Sequence, residues 1–362
     1  MTIEENLKFR EDFIKQEFKK YLGYDLNLEN PKTFNEKIQW LKLYYNDPLM
    51  TKCADKYLVR EYIREKIGEE YLIPLLGVWD KPEDIDFDSL PNQFVLKVNW
   101  GSGQNIIVKD KSKLDINCTI NKLKEWIFPT SNYYYYSYEW QYKYIKPKII
   151  CEKYLEDNKT DNLIVYGVYC FNGEPHYIHT ITDAHTNRDR LNMYDTNWNK
   201  LDLVYIFKNI EYDVPKPKYL DLLLELARKL SSEFKHIRVD FFVVNEKLYF
   251  SELTFTTSNG MDFFNPKEWD YKFGELLELP KEKKIEYSYI DNKTALYQLL
   301  NLEPIISRYK KIEEDLKYKE KYNKLKNNSF ALLGFFNEDD YFTFIIFGLK
   351  IVFKKHKTRP NM

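Results

Sequence analysis

The stretch FVLKVNWGSGQNIIV, Phe94 to Val108, decides how the rest of the chain is read. It opens with an apolar run, Phe94 to Leu96, that delivers Lys97, breaks at Gly101-Ser102-Gly103, and resumes as Ile106 to Val108. Two short apolar runs around a glycine-rich break predict a β-hairpin with a glycine tip. Glycine permits positive φ and a close approach of the backbone to a ligand. Successive N–H groups can then face an anion while the lysine supplies charge from the strand. A polyphosphate suits such a tip. Most strand–Gly-Ser-Gly–strand segments are only turns, so the reading depends on what the remaining residues supply.

At 362 residues and 44% hydrophobic composition the chain is long enough for more than one packed unit. Lys and Arg number 55 against 56 Asp and Glu, a net charge of -1, which argues against a nucleic-acid partner held by phosphate neutralisation. Cys53, Cys118, Cys151 and Cys170 form no CxxC pair and have no histidine at zinc spacing. Buried, reduced thiols and a cytoplasmic location are therefore expected. The N-terminal MTIEENLKFREDF is charged throughout and lacks the apolar centre of a signal peptide. The longest apolar run, Tyr341 to Phe353, is interrupted by Lys350 and falls short of the roughly 20 residues a bilayer requires. There is no GxGxxG, which argues against a dinucleotide-binding domain.

Apolar spacing predicts a helix over 4–22 closed by Gly23, and a second announced by Pro31-Lys32-Thr33, with Glu36 at capping-box distance from Thr33. A third runs from about Asp55 through Ile67. A strand follows at 71–79, then the glycine hairpin and a helix over 119–128. From Lys148 onward strands dominate: 149–155, 163–171 and 175–182, the last two joined by Asn172-Gly173. An amphipathic helix over 220–234 precedes a hairpin, 236–244 and 248–255, that turns at Asn245-Glu246. The pattern is an α+β fold with antiparallel sheets. The expected organisation is an N-terminal helical region, 1–70; a first α/β subdomain with the Lys97 hairpin, 71–147; a second subdomain, 148–280; and an extension, 281–362, helical through Lys326 and then aromatic and basic.

Polar residues at strand ends form a set: Lys56 after Asp55, Lys97 before the glycine loop, Glu152-Lys153-Tyr154-Leu155, Arg238-Val239-Asp240, and Ser251-Glu252-Leu253-Thr254. Asp240 and Glu252 lie twelve residues apart across one hairpin, which can place both carboxylates on one face. Two convergent carboxylates suit Mg²⁺, which takes one or two protein oxygens together with waters and substrate phosphates. Each acid alone reads equally well as a solvent-facing cross-strand partner. However, Val239 and Phe241 flank Asp240, and Phe250 and Leu253 bracket Glu252, so both strands are largely buried and unpaired acids there would be costly. His185 and His236 receive no role.

Seven segments, taken in order, carry a resemblance: NPKTFNEKIQWLKL at 30–43, DKYLVREYI at 55–63, the lysine–glycine hairpin, IICEKYL at 149–155, YCFNGEP at 169–175, YDTNWNKL at 194–201, and RVDFF with YFSELTFTTSNG within 238–260. Over residues 31–280 the chain resembles the TupA-like branch of the ATP-grasp superfamily. That resemblance implies an ATP-grasp fold, two α/β subdomains clasping ATP, with ATP and Mg²⁺ as cofactors. Lys56 and Lys97 would hold the α- and β-phosphates, and the backbone of Gly101, Ser102 and Gly103 would cover the β- and γ-phosphates. Glu152 would accept from the adenine amino group, and the backbone of Lys153 and Leu155 would meet the rest of the base edge. Asp157 or Asp161 would hold the ribose. Asp240 and Glu252 would bind magnesium, with Thr254 where the family has Asn, and Arg238 would stabilise transition-state charge. Ser258 and Gly260 would shape the acceptor side. A basic residue is expected in the strand before CFNG, where Tyr166-Gly167 stands; Arg188 and Arg190 are candidates to supply that charge.

The resemblance further implies a carboxylate–amine ligase working through an acyl phosphate in surface-polysaccharide synthesis, such as teichuronic acid or capsule. The expected carboxylate is that of a uronic acid, glucuronic acid first, free, nucleotide-linked or lipid-linked; the expected amine is small. A kinase using the same ATP site and a non-catalytic scaffold of an assembly complex are the competing readings; a glycosyltransferase, a third, would need a sugar-nucleotide site. The tail FTFIIFGLKIVFKKHK, 342–357, is apolar and then basic, as suits an interfacial anchor at the inner face of a membrane or a segment docked on a partner.

Overall fold

The computed structural model describes residues 3–128, 131–157, 163–182 and 190–285, and the strands at 333–338, 341–346 and 349–354. The chain divides into two units, Glu4–Glu286 and a second comprising Tyr287–Met362 with the first three residues. In the second unit the described strands form an antiparallel meander, β12 (Leu333–Glu338), β13 (Tyr341–Ile346) and β14 (Leu349–Lys354). The apolar run at 341–353 is thus read out as two strands. The helix expected over 281–326 lies, from residue 286 on, outside the described residues.

The first unit opens with α1 (Ile3–Leu22), closed by Gly23 at φ +78°, and α2 (Phe34–Tyr44). Thr33 caps α2 as its spacing predicts: its hydroxyl accepts from Glu36 N–H at 3.1 Å, and Glu36 returns a carboxylate oxygen to Thr33 N–H at 3.0 Å. Removing that hydroxyl leaves a buried N–H without its partner. Thr33→Ala is expected to lower stability by about 1–2 kcal/mol in urea unfolding.

The helix expected from about Asp55 through Ile67 begins later, as α4 (Val59–Lys66), and an unexpected helix, α3 (Pro48–Ala54), precedes it. The start signal lies earlier, at Asp47-Pro48, where the Asp47 carboxylate caps Leu49 N–H at 3.0 Å and proline occupies the first turn. Asp55 then breaks the helix by accepting from Tyr57 and Leu58 N–H, offering the backbone an alternative to helical pairing.

A four-stranded antiparallel sheet follows, ordered β1 (Leu75–Trp79), β4 (Ile149–Lys153), β2 (Phe94–Val98), β3 (Asn105–Val108). α5 (Ile116–Trp126) and the one-turn α6 (Tyr134–Ser137) lie between β3 and β4 in sequence. β4, which follows the boundary expected at 147/148, pairs with β1 and β2 in this first sheet. The second sheet is ordered β10 (Lys247–Thr254), β9 (His236–Val244), β5 (Val165–Phe171), β6 (Glu174–Thr182), β7 (Arg190–Asp195), again antiparallel. Its hairpins turn where expected, at Asn172-Gly173 (φ +50°, +86°) and Asn245-Glu246 (φ +48°, +66°), left-handed pairs whose twist matches the strands. A two-stranded ribbon of β8 (Val204–Tyr205) and β11 (Phe264–Asn265), with α8 (Glu268–Leu276), completes the unit.

The amphipathic helix α7 (Leu220–Ser231) buries Leu223, Leu226, Ala227 and Leu230, and Cys170 Sγ approaches Ala227 O at 3.9 Å. Cys170 therefore faces α7, and alternation along the strands puts Tyr169 and Arg238, paired in register, on the opposite face. That face holds the polar set. Cys53, Cys151 and Cys170 are buried free thiols, as expected, and Cys118 is an exposed one.

Candidate active site

Lys56 sits in the gap between α3 and α4, and Asn99 holds it there. The fully buried Asn99 carboxamide donates to Asp55 Oδ2 and to Lys146 O, both at 2.9 Å, and accepts from Lys148 N–H at 2.8 Å. The main-chain carbonyl of Asn99 accepts from Lys56 N–H at 2.9 Å. One residue thus ties the lysine to the end of β2 and the approach to β4. Nothing in the sequence reading singled it out, although it lies between Lys97 and Gly101.

Lys97, on β2, places Nζ 2.6 Å from Glu152 Oε2 on the neighbouring β4. The other carboxylate oxygen meets Arg60 Nη1 of α4 at 3.3 Å, and Arg60 Nη2 also donates to Ile73 O at 2.9 Å. Glu152 is buried, and both its oxygens are engaged by cations. Its most direct structural task is to aim Lys97. Lys153 N–H is engaged, donating to Pro74 O at 2.9 Å.

Across the second sheet, Glu252 pairs in register with Asp240 and Thr254 with Arg238, the register shifting between Phe250 and Glu252. Arg238 grips Asp240 at two points, Nε to Oδ1 at 2.7 Å and Nη2 to Oδ2 at 2.6 Å. Nη2 also reaches Thr254 Oγ1 at 3.1 Å and Glu252 Oε1 at 3.5 Å. Glu252 Oε2 receives Lys56 Nζ at 3.0 Å, which joins the helical gap to this sheet. Lys97, held on Glu152, adds its charge to those of Lys56 and Arg238 in lowering the Glu252 carboxyl.

Burial pushes the Glu252 carboxyl up, but Lys56, Arg238 and Lys97 more than offset it and hold it down at about 2. Burial opposes the charge on Arg238 as well; Asp240 and Glu252 outweigh it, so the guanidinium stays charged. Burial pushes the Asp240 carboxyl up from the usual carboxylate range, and the two-point grip of Arg238 works against that rise. Four cations, Lys56, Arg60, Lys97 and Arg238, face three carboxylates, an arrangement that favours an anion. Facing carboxylates on adjacent strands are also a donor set that fits Mg²⁺. Among the described residues no group of three or more His, Cys, Asp or Glu gathers as a metal site, so such an ion would take further ligands from water and phosphate.

The glycine loop has the backbone its sequence implies. Gly103 takes φ +67°, and Tyr133 Oη donates to Ser102 O at 3.2 Å from the aromatic segment that follows α5. The loop at 257–260 runs through left-handed φ at Ser258, Asn259 and Gly260 and is pinned on α2: Gln39 Nε2 donates to Asn259 O and Gly260 O, and Lys42 Nζ to Asn259 Oδ1 at 2.7 Å. Burial lowers the Lys42 ammonium to about 7.

Lys56, Lys97, Glu152, Arg238, Asp240, Glu252 and Thr254 are therefore brought together. Asp157 lies at the turn end of the β9–β10 hairpin, accepting from Asn245 N–H at 2.9 Å. Arg190 stands on edge strand β7, three strands from Arg238. Asp161, His185 and Arg188 lie outside the described residues.

A family model described as TupA-like ATPgrasp matches residues 36–278. No curated protein matches. Among solved structures, D-alanine–D-alanine ligase from Bacillus anthracis is 20% identical over 56% of this chain and 56% of that one, with a TM-score of 0.35. The same ligase complexed with ATP is 18% identical over 56% and 54%, TM-score 0.35. The Helicobacter pylori D-alanine–D-alanine ligase is 14% identical over 69% and 68%, TM-score 0.38. The chain spans about half the length of the first two.

Proposed function

We propose, from the premise that this chain belongs to the TupA-like ATP-grasp family of ATP-dependent ligases, that it joins a sugar carboxylate to a small amine through an acyl phosphate. The observation that carries this reading is the single cluster in which Lys56 and Arg238 meet Glu252 and Asp240 on one sheet face, with Lys97 beside it. Lys56 and Lys97 would turn from Glu252 and Glu152 to the α- and β-phosphates of ATP, and the Gly101–Gly103 backbone would cover the β- and γ-phosphates. The Lys153 carbonyl and Leu155 backbone would meet the adenine edge beside Glu152, and an acid after Leu155, Asp157 or Asp161, the ribose. Asp240 and Glu252, with Thr254 as a third oxygen, would hold Mg²⁺, which supplies charge neutralisation across the phosphates.

In the reaction a carboxylate oxygen takes the γ-phosphoryl group and ADP leaves. The amine then attacks the acyl carbon, Arg238 offsets the charge on the tetrahedral oxygen, and phosphate departs as the amine loses its proton. Ser258 and Gly260 would border the acceptor, with Arg190 or Arg188 toward its anionic part. No protein nucleophile is needed. A uronic acid, glucuronic acid first, is the substrate we expect, in a surface-polysaccharide pathway such as teichuronic acid or capsule.

Incubation with MgATP, a panel of uronic acids and hydroxylamine is expected to yield a hydroxamate together with ADP. ADP without hydroxamate, accompanied by a phosphorylated sugar, would turn the reading to a kinase. No Mg²⁺-dependent ADP release with any carboxylate–amine pair would leave a scaffold. Attachment at the inner face of a membrane through 342–357 belongs to the same reading, and flotation with anionic vesicles tests it. No described helix is long and apolar enough to cross a membrane.

A further inference from the structure

Gly167, the position that breaks the expected basic pattern before CFNG, stands in register between His179 of β6 and Asp240 of β9. Directly paired residues share a face, so Glu252, Asp240, Gly167 and His179 form one row across four strands. A Cβ at Gly167 would collide with the His179 imidazole at Nε2, Cδ2 and Cε1 alike. The absent side chain is therefore the space the ring occupies. What the sequence presents as a lost charge on β5 is a place cleared for a histidine arriving from β6.

Hydrogen bonding fixes which nitrogen of that ring carries the proton. Asp262 Oδ2 accepts both the Thr257 hydroxyl, at 2.5 Å, and Tyr205 Oη–H, at 2.7 Å. Tyr205 Oη must then accept from Tyr169 Oη–H, at 3.1 Å. The Tyr169 hydroxyl has only one hydrogen, so its 3.2 Å contact with His179 Nδ1 is donated by the imidazole. The ring is held as the Nδ1–H form, and Nε2 is a bare lone pair. That atom is buried, in a residue 1% exposed, and has no hydrogen-bond partner. Burial, reinforced by the nearby Arg238, keeps the imidazole neutral. A buried acceptor without a donor is unfavourable by about 1–3 kcal/mol, so another state of the site should supply one. Arg238 is the charged group that acts on the ring, one row away on the same face. Its present partner, Asp240, is one of the two acids assigned to magnesium.

We infer that His179 is a positioning residue that receives Arg238 when Asp240 turns to a divalent cation: the guanidinium exchanges its carboxylate partner for the lone pair of His179 Nε2. The inference rests on the Mg-nucleotide reading above. Without that second acceptor, freeing Asp240 would leave the buried guanidinium with only Thr254 Oγ1 and the longer contact to Glu252, both on Nη2. Tyr169, Tyr205 and Asp262 serve by keeping the proton on the far side of the ring.

Two substitutions separate the nitrogens. Asn at 179 reproduces the Nδ1 donor to Tyr169 but nothing at Nε2, whereas Gln extends a carbonyl oxygen toward the Nε2 place. Calorimetry of ADP binding with and without Mg²⁺, alongside melting temperatures, reads the effect without turnover. His179→Gln is expected to keep the gain in affinity that Mg²⁺ confers. His179→Asn is expected to lose about tenfold of it or more, the worth of one hydrogen bond to a charged group, with metal-free ADP affinity unchanged. Tyr169→Phe retains the histidine but releases its tautomer, and is expected to lose part of the same gain. Full gain in His179→Asn overturns the inference, as does equal loss in the Asn and Gln variants, which would make the histidine a packing residue. Should either fail to fold, Tyr169→Phe with an undiminished gain overturns it. If the unaltered chain binds ADP no tighter with Mg²⁺, the nucleotide reading falls first, an outcome distinguishable from the other failures.

Discussion

Glu252→Gln is expected to lower Mg²⁺-dependent ADP release by about 10²–10³-fold or more, the range seen when one preorganised electrostatic contact is removed. The change is nearly isosteric, so the loss is of charge. The amide would retain an oxygen for Lys56 but would no longer balance Lys56 and Arg238, and one of the two proposed magnesium carboxylates would lose its formal charge. The same substitution has a signature in stability. Because the Glu252 pKa is depressed, from 4.5 to about 2, its contribution is present above pH 4.5 and disappears as pH falls toward 2. The full shift corresponds to about 3 kcal/mol. With 34% of the side chain exposed, solvent screening reduces this to about 1–2 kcal/mol. The unaltered chain should lose that increment between pH 4.5 and 2 in urea titrations, and Glu252→Gln should lack it. Identical acid profiles would show that the Lys56–Glu252 contact is not maintained in solution, and the assignment of this cluster would go with it.

Much of this site was legible because its parts are local. Thr33 and Glu36 announce a cap by their spacing, and Asn172-Gly173 fixes a hairpin; Asp240 and Glu252 belong to one short hairpin, but the register shift between Phe250 and Glu252 is what brings them to one face. The misread features depend on pairing between distant segments or on competition within one. Apolar spacing starts a helix at about Asp55, yet the carboxylate there accepts from Tyr57 and Leu58 N–H and from Asn99, a residue 44 positions later, and the helix begins only at Val59. Ile149–Lys153 pairs back with β1 and β2 across more than forty residues, which no local pattern specifies. Gly167 shows the limit most clearly. In sequence it is a missing basic residue; only the β5–β6 and β5–β9 registers reveal that its vacancy is filled from the side by His179. Cross-strand neighbours, unlike helical ones, are set by the fold.

The largest expected effect on folding is at Glu152, which the resemblance assigns to adenine and the structure surrounds with cations. Its carboxylate, with a side chain 9% exposed, meets Arg60 and Lys97, themselves 7% and 16% exposed. Glu152→Gln keeps the shape but leaves two buried cations facing a neutral amide. Breaking a buried pair from one side is unfavourable by about 3–5 kcal/mol, chiefly because the remaining charge is desolvated without compensation. The loss should therefore be conditional on the cations. Adding Arg60→Met removes one of them, and the double variant is expected to recover part of the deficit, a coupling of about 1–3 kcal/mol in a double-mutant cycle. Lys97 would remain without its orienting partner, so ADP binding should stay weak in the double variant even as stability returns. A role confined to the adenine edge predicts the opposite: weaker nucleotide binding, little change in urea unfolding, and no coupling to Arg60. A stability loss below about 1 kcal/mol in the single variant would therefore return Glu152 to the base.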